Sequence, residues 1–269
     1  MADIIVPIKQ VPDMERVKFD TESGRVDRSS AAGEINPFDL NALETAVQLK
    51  EKLGGTVTTI SMGPPQAESS VRDSLSRGAD RGILLVGKEF AGADTWATSY
   101  TLASAIKKLG KFDIIVCGEK TVDGDTGQVG PEIGEWLGIP HIAYVSKVRE
   151  AAAASLTVVA EMESDRYIIS SPWPVLITVT KDINSPRLPS FADKMKARKA
   201  QIETWGAADL ADVADAANFG LKGSPTRLNK VVVPSEEGRK GEVFRGSPED
   251  AAKNVADALQ KLGLLGSAK

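Results

Sequence analysis

With one cysteine (Cys117) and one histidine (His141) in 269 residues, the chain can form no internal disulfide and no zinc site of Cys and His ligands. Aromatic residues make up 5% of it. No apolar run approaches the ~20 residues of a membrane helix. A surplus of one charge is missing too. The 33 Lys+Arg against 37 Asp+Glu leave a net −4, which argues against a nucleic-acid partner held by counterion release. Met1-Ala2-Asp3-Ile4 leads directly into an apolar stretch with no basic region or cleavage site, so a cytoplasmic location is expected. What is present is 42% hydrophobic and 26% charged residues, the composition of a globular protein large enough to need no covalent staple.

Over the first 140 residues, short apolar runs alternate with helical patterns. Ile4 to Ile8, Thr56 to Ser61, Ile83 to Val86 and Phe112 to Cys117 read as strands. Val17 to Val26 reads as an exposed hairpin turning at Ser23-Gly24. Asn36-Pro37 opens a helix, Asn as cap and Pro at the position where a missing N–H costs nothing, and Gly54-Gly55 closes it. A second helix passes through Val71 and Leu75, a third starts at Asp94, and a fourth runs from about Gly127 to Leu137. Strands apolar on both faces, separated by helices, predict an α/β fold with a Rossmann-like, mostly parallel sheet and helices on each side. Ligands then bind beyond the carboxyl ends of the strands.

After His141 four strand-like runs follow too closely for helices between them: Tyr144–Val148, Leu156–Ala160, Tyr167–Ser170 and Val175–Thr180. That half should be antiparallel or mixed. Beyond Asn184 the pattern is Pro-broken, then basic (Lys194, Lys196, Arg198, Lys199), then Ala-rich and acidic. It holds one further strand at Lys230–Val233 and a helix from Ser247-Pro248 to Leu262. The chain therefore divides into an α/β domain, 1–183, and a segment, 184–269, that either packs back on it or reaches out to another subunit.

The strongest chemical signal is the glycine-dense stretch Gly118 to Pro131, between a buried strand and a helix. Glycines at 118, 124, 127 and 130 allow a close backbone approach, and the helix start offers unpaired N–H groups and a partial positive charge. A phosphate or pyrophosphate would sit on the amides of Gly127, Gln128 and Val129, with the Thr126 hydroxyl. Asp123 and Asp125 would repel a phosphate, so they are placed on ribose hydroxyls or on loop N–H groups. An ordinary Gly/Asp turn is the competing interpretation. Gly-x-Gly-x-x-Gly and Gly-Lys-Ser/Thr signatures are both missing. His141 and Cys117 read as structural residues, Trp173 as a packing anchor, and no catalytic side chain or metal site is assigned.

Taken in order, Val6 to Asp13, Asn36-Pro37-Phe38, Met62 to Gln66, Ser76 to Gly82, Asp123 to Pro131, Asn184 to Arg187 and Met195 to Lys199 resemble the β subunit of electron-transfer flavoproteins. The likeness runs from near the first residue to about 200, and more loosely to the end. It implies a heterodimer with an α subunit that carries a redox FAD, the β subunit holding a second adenine nucleotide. That nucleotide is AMP in simple carriers and FAD in electron-bifurcating members. By correspondence it would be lined by Pro7, Asn36, Phe38, Met62 and the Gly118–Gly130 loop with Val122. The run Asp123 to Pro131 is closer to the bifurcating pattern, which has Ala where this chain has Gly127. The resemblance then implies NADH as hydride donor, with one electron passing to the α-subunit flavin and the other to a ferredoxin or flavodoxin. It also implies a loop that docks on an acyl-CoA dehydrogenase-type partner, where Phe191 stands in place of the usual Leu; a buried loop Phe is the alternative. One departure is Glu163-Ser164-Asp165-Arg166 where the family has an acidic, Gly-rich turn. A stand-alone nucleotide-binding regulator of the same architecture remains the rival.

Overall fold

A computed structural model describes residues 1–13, 18–20, 25–27, 33–227 and 241–265. In chain order the elements are β1 (Ala2–Pro7), β2 (Gln10–Pro12), β3 (Lys18–Asp20), β4 (Arg25–Asp27), β5 (Gly33–Ile35), α1 (Pro37–Leu53) and β6 (Gly55–Met62). Next come α2 (Glu68–Ser76), β7 (Arg81–Leu85), α3 (Thr95–Leu109), β8 (Ile114–Gly118) and α4 (Val129–Leu137). They are followed by β9 (His141–Ala151), β10 (Ser155–Met162), β11 (Asp165–Pro172), β12 (Val175–Val179), α5 (Phe191–Lys199), β13 (Glu203–Trp205), α6 (Gly220–Gly223) and α7 (Pro248–Lys261).

One nine-stranded sheet, in the order β11-β10-β9-β12-β8-β1-β6-β7-β13, organises the fold. All its pairings are parallel except β9–β10 and β10–β11, so the second half is mixed, as its crowded strands require. Alternation along β1 feeds two cores. Ile4 and Val6 pack with Ala42, Leu43 and Val47 of α1 and Val71 of α2. Ile5 packs on the other face with Leu102 and Ile106 of α3 and Ile133 of α4. The class is thus the expected α/β, Rossmann-like one. Because β1 runs between β8 and β6, the chain leaves its carboxyl end at a point where the topology reverses, the usual place for a ligand crevice. Among the described residues no helix is long and apolar enough to cross a membrane.

Some local readings stand and others need revision. Asn36 does precede α1, but its side chain makes no capping bond there. Trp173 packs against the first core, and the peptide bond to Pro174 is cis. The hairpin at 17–26 appears as β3 paired antiparallel with β4, its turn lying outside the described residues, as does the strand read at Lys230–Val233. Five elements were not anticipated: β2, β5, α5, β13 and the short α6. β13 adds a parallel edge strand to β7, and α5 spans the basic stretch. Phe191 is therefore the first residue of a helix rather than a loop residue. Ser190 and Asp193 form a capping box that starts the helix there.

Two compact units divide the chain, residues 1–230 and 231–269. Within the first, the segment after β12 is tied down by polar bonds. Arg187 Nε lies 2.7 Å from Glu44 Oε2 and its Nη1 2.7 Å from Glu51 Oε1, both on α1. The Asn184 and Asn41 side chains bond reciprocally to each other's carbonyls. Arg72 of α2 sets Nη1 against the carbonyls of Ala197, Arg198 and Ala200, closing the C-terminal end of α5. Ala197 is the single buried residue of that helix. In the second unit α7 starts at Ser247, whose hydroxyl accepts from the Asp250 N–H.

Candidate functional site

At the carboxyl ends of β1, β6 and β8 lies a cavity of about 840 Å³, within the range of small-molecule and cofactor sites. Its near wall is the β8–α4 connection. Here Gly127 adopts φ +65°, a left-handed conformation that glycine holds without strain, and so turns the chain into α4. Gln128, at the cap position of α4, makes no side-chain capping bond. The third helical residue, Pro131, has no N–H to leave unpaired. The open donors are thus concentrated at the first helical positions, Val129 and Gly130, which line the cavity. This contrasts with α3, where Asp94 accepts from the Ala97 N–H at 3.0 Å.

The far wall comes from a different part of the chain. Ala93 to Trp96, at the start of α3, face the cavity together with Pro225 and Thr226. Asp94 fastens this side, accepting from both the N–H and the hydroxyl of Thr226. Burial raises the Asp94 carboxyl, but those bonds and the one from Ala97 outweigh it, and its pKa falls below the ordinary value.

The residues expected from sequence fall into two groups. Pro7, Met62, Gly118, Thr126, Gly127, Gln128, Val129 and Gly130 line the cavity. Asn36, Phe38, Val122, Asp123 and Asp125 are not among its lining residues. The Asn36 amide donates to the Lys120 carbonyl at 2.9 Å and accepts from the Val122 N–H at 3.2 Å, which is why it is unavailable as a cap for α1. Phe38 packs beneath the loop, close enough that a Cβ at Gly118 would meet its backbone carbon at 2.8 Å. Both loop aspartates pair with lysines. Asp123 bonds Lys9 Nζ at 2.7 and 2.9 Å, and Asp125 pairs with Lys120 at 2.8 Å. These pairs remove the repulsion between the aspartates and an anion, because each negative charge is matched locally. They also occupy two nearby lysines, which leaves backbone amides as the principal anion holders.

Besides the α3 wall, sequence reasoning missed three charged lining groups. Lys9 and Asp39 are the first two: the Lys9 N–H donates to Asp39 Oδ2 at 2.8 Å. Burial drives the Asp39 carboxyl up to about 7, against the opposing pull of the Lys9 N–H, the Asn36 side chain and the Lys9 charge. Glu132 of α4 is the third. Asp39 sat in a helical pattern and Glu132 in a helix interior, where a carboxylate ordinarily faces solvent. Cys117 also lines the cavity, but it is buried, and burial holds its thiol well above the usual range; His141, at the start of β9, is not among the lining residues. Phe191 lies apart from the cavity residues and is 81% exposed.

The cavity thus combines a glycine turn, an uncapped helix start and a large remaining volume. An adenine nucleotide fits the donors present. Against known proteins, the model of the electron transfer flavoprotein domain matches residues 23–210. The electron transfer flavoprotein subunit beta of Thermoanaerobacterium thermosaccharolyticum is 44% identical over 96% of this chain and 97% of its own length. That of Megasphaera elsdenii is 41% identical over 96% and 97%. Protein FixA of Bradyrhizobium diazoefficiens is 41% identical over 95% and 90%.

Proposed function

The chain belongs to the electron transfer flavoprotein β-subunit family, and from that premise we propose that it binds an α subunit and holds a second FAD in the β8–α4 cavity. The observation that carries the cofactor reading is the uncapped first turn of α4, opening on a cavity that continues to the start of α3. The amides of Gln128, Val129 and Gly130 would hold the pyrophosphate, with the Thr126 hydroxyl beside them. Gly118 and Pro7 would allow close approach, and Asn36 keeps the loop in shape through both its bonds. Bound there, FAD would supply hydride and one-electron chemistry, linking NADH to the α-subunit flavin and to a ferredoxin or flavodoxin, whereas AMP would supply none. This chain's share is to bind, orient and exclude water; no side chain of its own is assigned a catalytic step.

Extraction of nucleotides from the purified heterodimer tests this directly. About two FAD per complex are expected. One FAD with one AMP would leave the family standing and remove bifurcation, and a cavity that yields no nucleotide would remove both cofactor readings.

We place the contact with an acyl-CoA dehydrogenase-type partner on α5. Its exposed Phe191 tip and its Lys194, Lys196, Arg198 and Lys199 side chains suit an apolar pocket with an acidic rim. Phe191→Ala should raise the KM for the dehydrogenase about tenfold while flavin content stays constant. Unaltered transfer kinetics would remove Phe191 from the interface.

A further inference from the structure

The cavity is acidic before any ligand arrives. Its charged lining groups are Lys9, Asp39, Asp94, Glu119, Lys120 and Glu132, four carboxyls against two lysines. Both lysines are already engaged. Lys9 Nζ bonds Asp123 at 2.7 and 2.9 Å, and Lys120 pairs with Asp125 at 2.8 Å. A phosphate would add further negative charge, with no unengaged lysine or arginine among the described lining residues to meet it. Like charges that share a poorly solvated space do not all stay ionised, and the least solvated acid is the one that takes a proton.

Asp39, in the first turn of α1, is that acid. It is 6% exposed. Its Oδ2 accepts the Lys9 N–H at 2.8 Å and its Oδ1 abuts Gly118, and both of those residues line the cavity. Gly130, in the first turn of α4, packs against Cys117, the neighbour of Gly118 in the chain, so the carboxyl and the proposed phosphate amides flank the end of β8. The titratable groups facing Asp39 are Lys9 at the end of β1 and Cys117 on β8, whose thiol is held neutral by burial and by the Asp39 charge. The other lining acids stand differently. Asp94 is kept ionised by the Ala97 N–H and by the N–H and hydroxyl of Thr226, while Glu119 and Glu132 are only partly buried. We infer that an anionic nucleotide enters this cavity together with a proton, and that the proton settles on Asp39. This rests on the nucleotide reading of the cavity. Burial already brings the empty site's carboxyl up to about 7, and a ligand's charge raises it further. Uptake is therefore greatest just above neutrality, and affinity falls as pH rises through that window.

The test is a proton count on the heterodimer freed of its β-site nucleotide. AMP and FAD are each titrated calorimetrically at about pH 8, in two buffers of different ionisation enthalpy, where a phosphate with a second pKa near 6 is already fully ionised. Wild type should take up about half a proton or more per ligand bound, and its Kd should rise about tenfold between about pH 7 and pH 9. Asp39→Asn should show no uptake and a Kd constant to within about twofold over the same range. Glu119→Gln and Glu132→Gln should both keep the uptake. Wild-type binding without proton uptake would overturn the inference while leaving the cavity's nucleotide in place, and that measurement needs no variant to fold. Uptake that persists in Asp39→Asn, or disappears in either glutamine variant, would overturn the assignment to Asp39. Wild-type protein that binds neither ligand would overturn the nucleotide reading itself.

Discussion

Gly130→Val should yield a heterodimer whose β-site nucleotide falls below about a tenth of the wild-type content. A Cβ at this position would stand 2.6 Å from Thr178 Cγ2 and 3.5 Å from Cys117 Cβ, so even one methyl group forces α4 off β12 and β8. Thr178 has little freedom to move aside. Its hydroxyl accepts from the Tyr144 N–H at 3.1 Å, which fixes the rotamer that points the methyl at Gly130, and the residue is 2% exposed. Overpacking of this kind costs about 1–3 kcal/mol, a loss of roughly 2–12 °C in Tm. The functional loss should exceed the stability loss, because displacing the first turn of α4 re-aims every amide proposed for the phosphate. Gly130→Ala gives the intermediate case. Nucleotide content that survives in a folded Gly130→Val complex would mean the anion is held elsewhere.

Asp39→Asn should stabilise the protein at pH 8 and leave it nearly unchanged at pH 4. The folded carboxyl titrates at about 7 against an ordinary value near 3.8, so the folded state binds a proton that the unfolded chain has released. Stability therefore falls as pH rises from about 4 to about 7, and the full cost stands above that window. Asparagine resembles the neutral acid and still accepts from the Lys9 N–H, so the variant should lack this part of the slope. The expected gain at pH 8 is of the order of a few kcal/mol. Denaturant titrations of both proteins across pH 4–8 read the difference directly, other carboxylates cancelling. Parallel curves would show that Asp39 is ionised in the folded protein throughout. Because Asp39 lines the same cavity, its ionisation also adds a negative charge close to the proposed phosphate.

The parallel centre of the sheet was legible because β1, β7, β8 and β12 are apolar on both faces and the helices α1 and α3 have marked ends. Asp94 at α3, Gly54 after α1 and Pro37 at the start of α1 place those ends to within a residue or two. α5 escaped a pattern-based reading because it has no apolar stripe: apart from Ala197, no residue in it is buried. Its capping box, Ser190 with Asp193, was the available signal. β13 is three residues long and pairs on one side only, too short for a period to show. The site divides in the same way. The Gly118–Gly130 loop could be read because glycine density, a strand end and a helix start fall together in sequence. The α3 side could not, since only the sheet order brings Thr95 and Trp96 opposite a loop some thirty residues later. Asn36 was placed correctly near the loop but in the wrong job, because a residue before Pro at a helix start reads as a cap whichever way its amide turns.

Because α5 is fastened by one guanidinium at its tail and a serine–aspartate pair at its head, its outward residues contribute little to holding the protein together. Selection can rewrite Phe191 and the lysines around it without disturbing either core. With the docking face proposed on α5, a change of redox client would require substitutions on two turns of helix and no remodelling of the scaffold, so members of one lineage could diverge in whom they serve while their cavities stay alike.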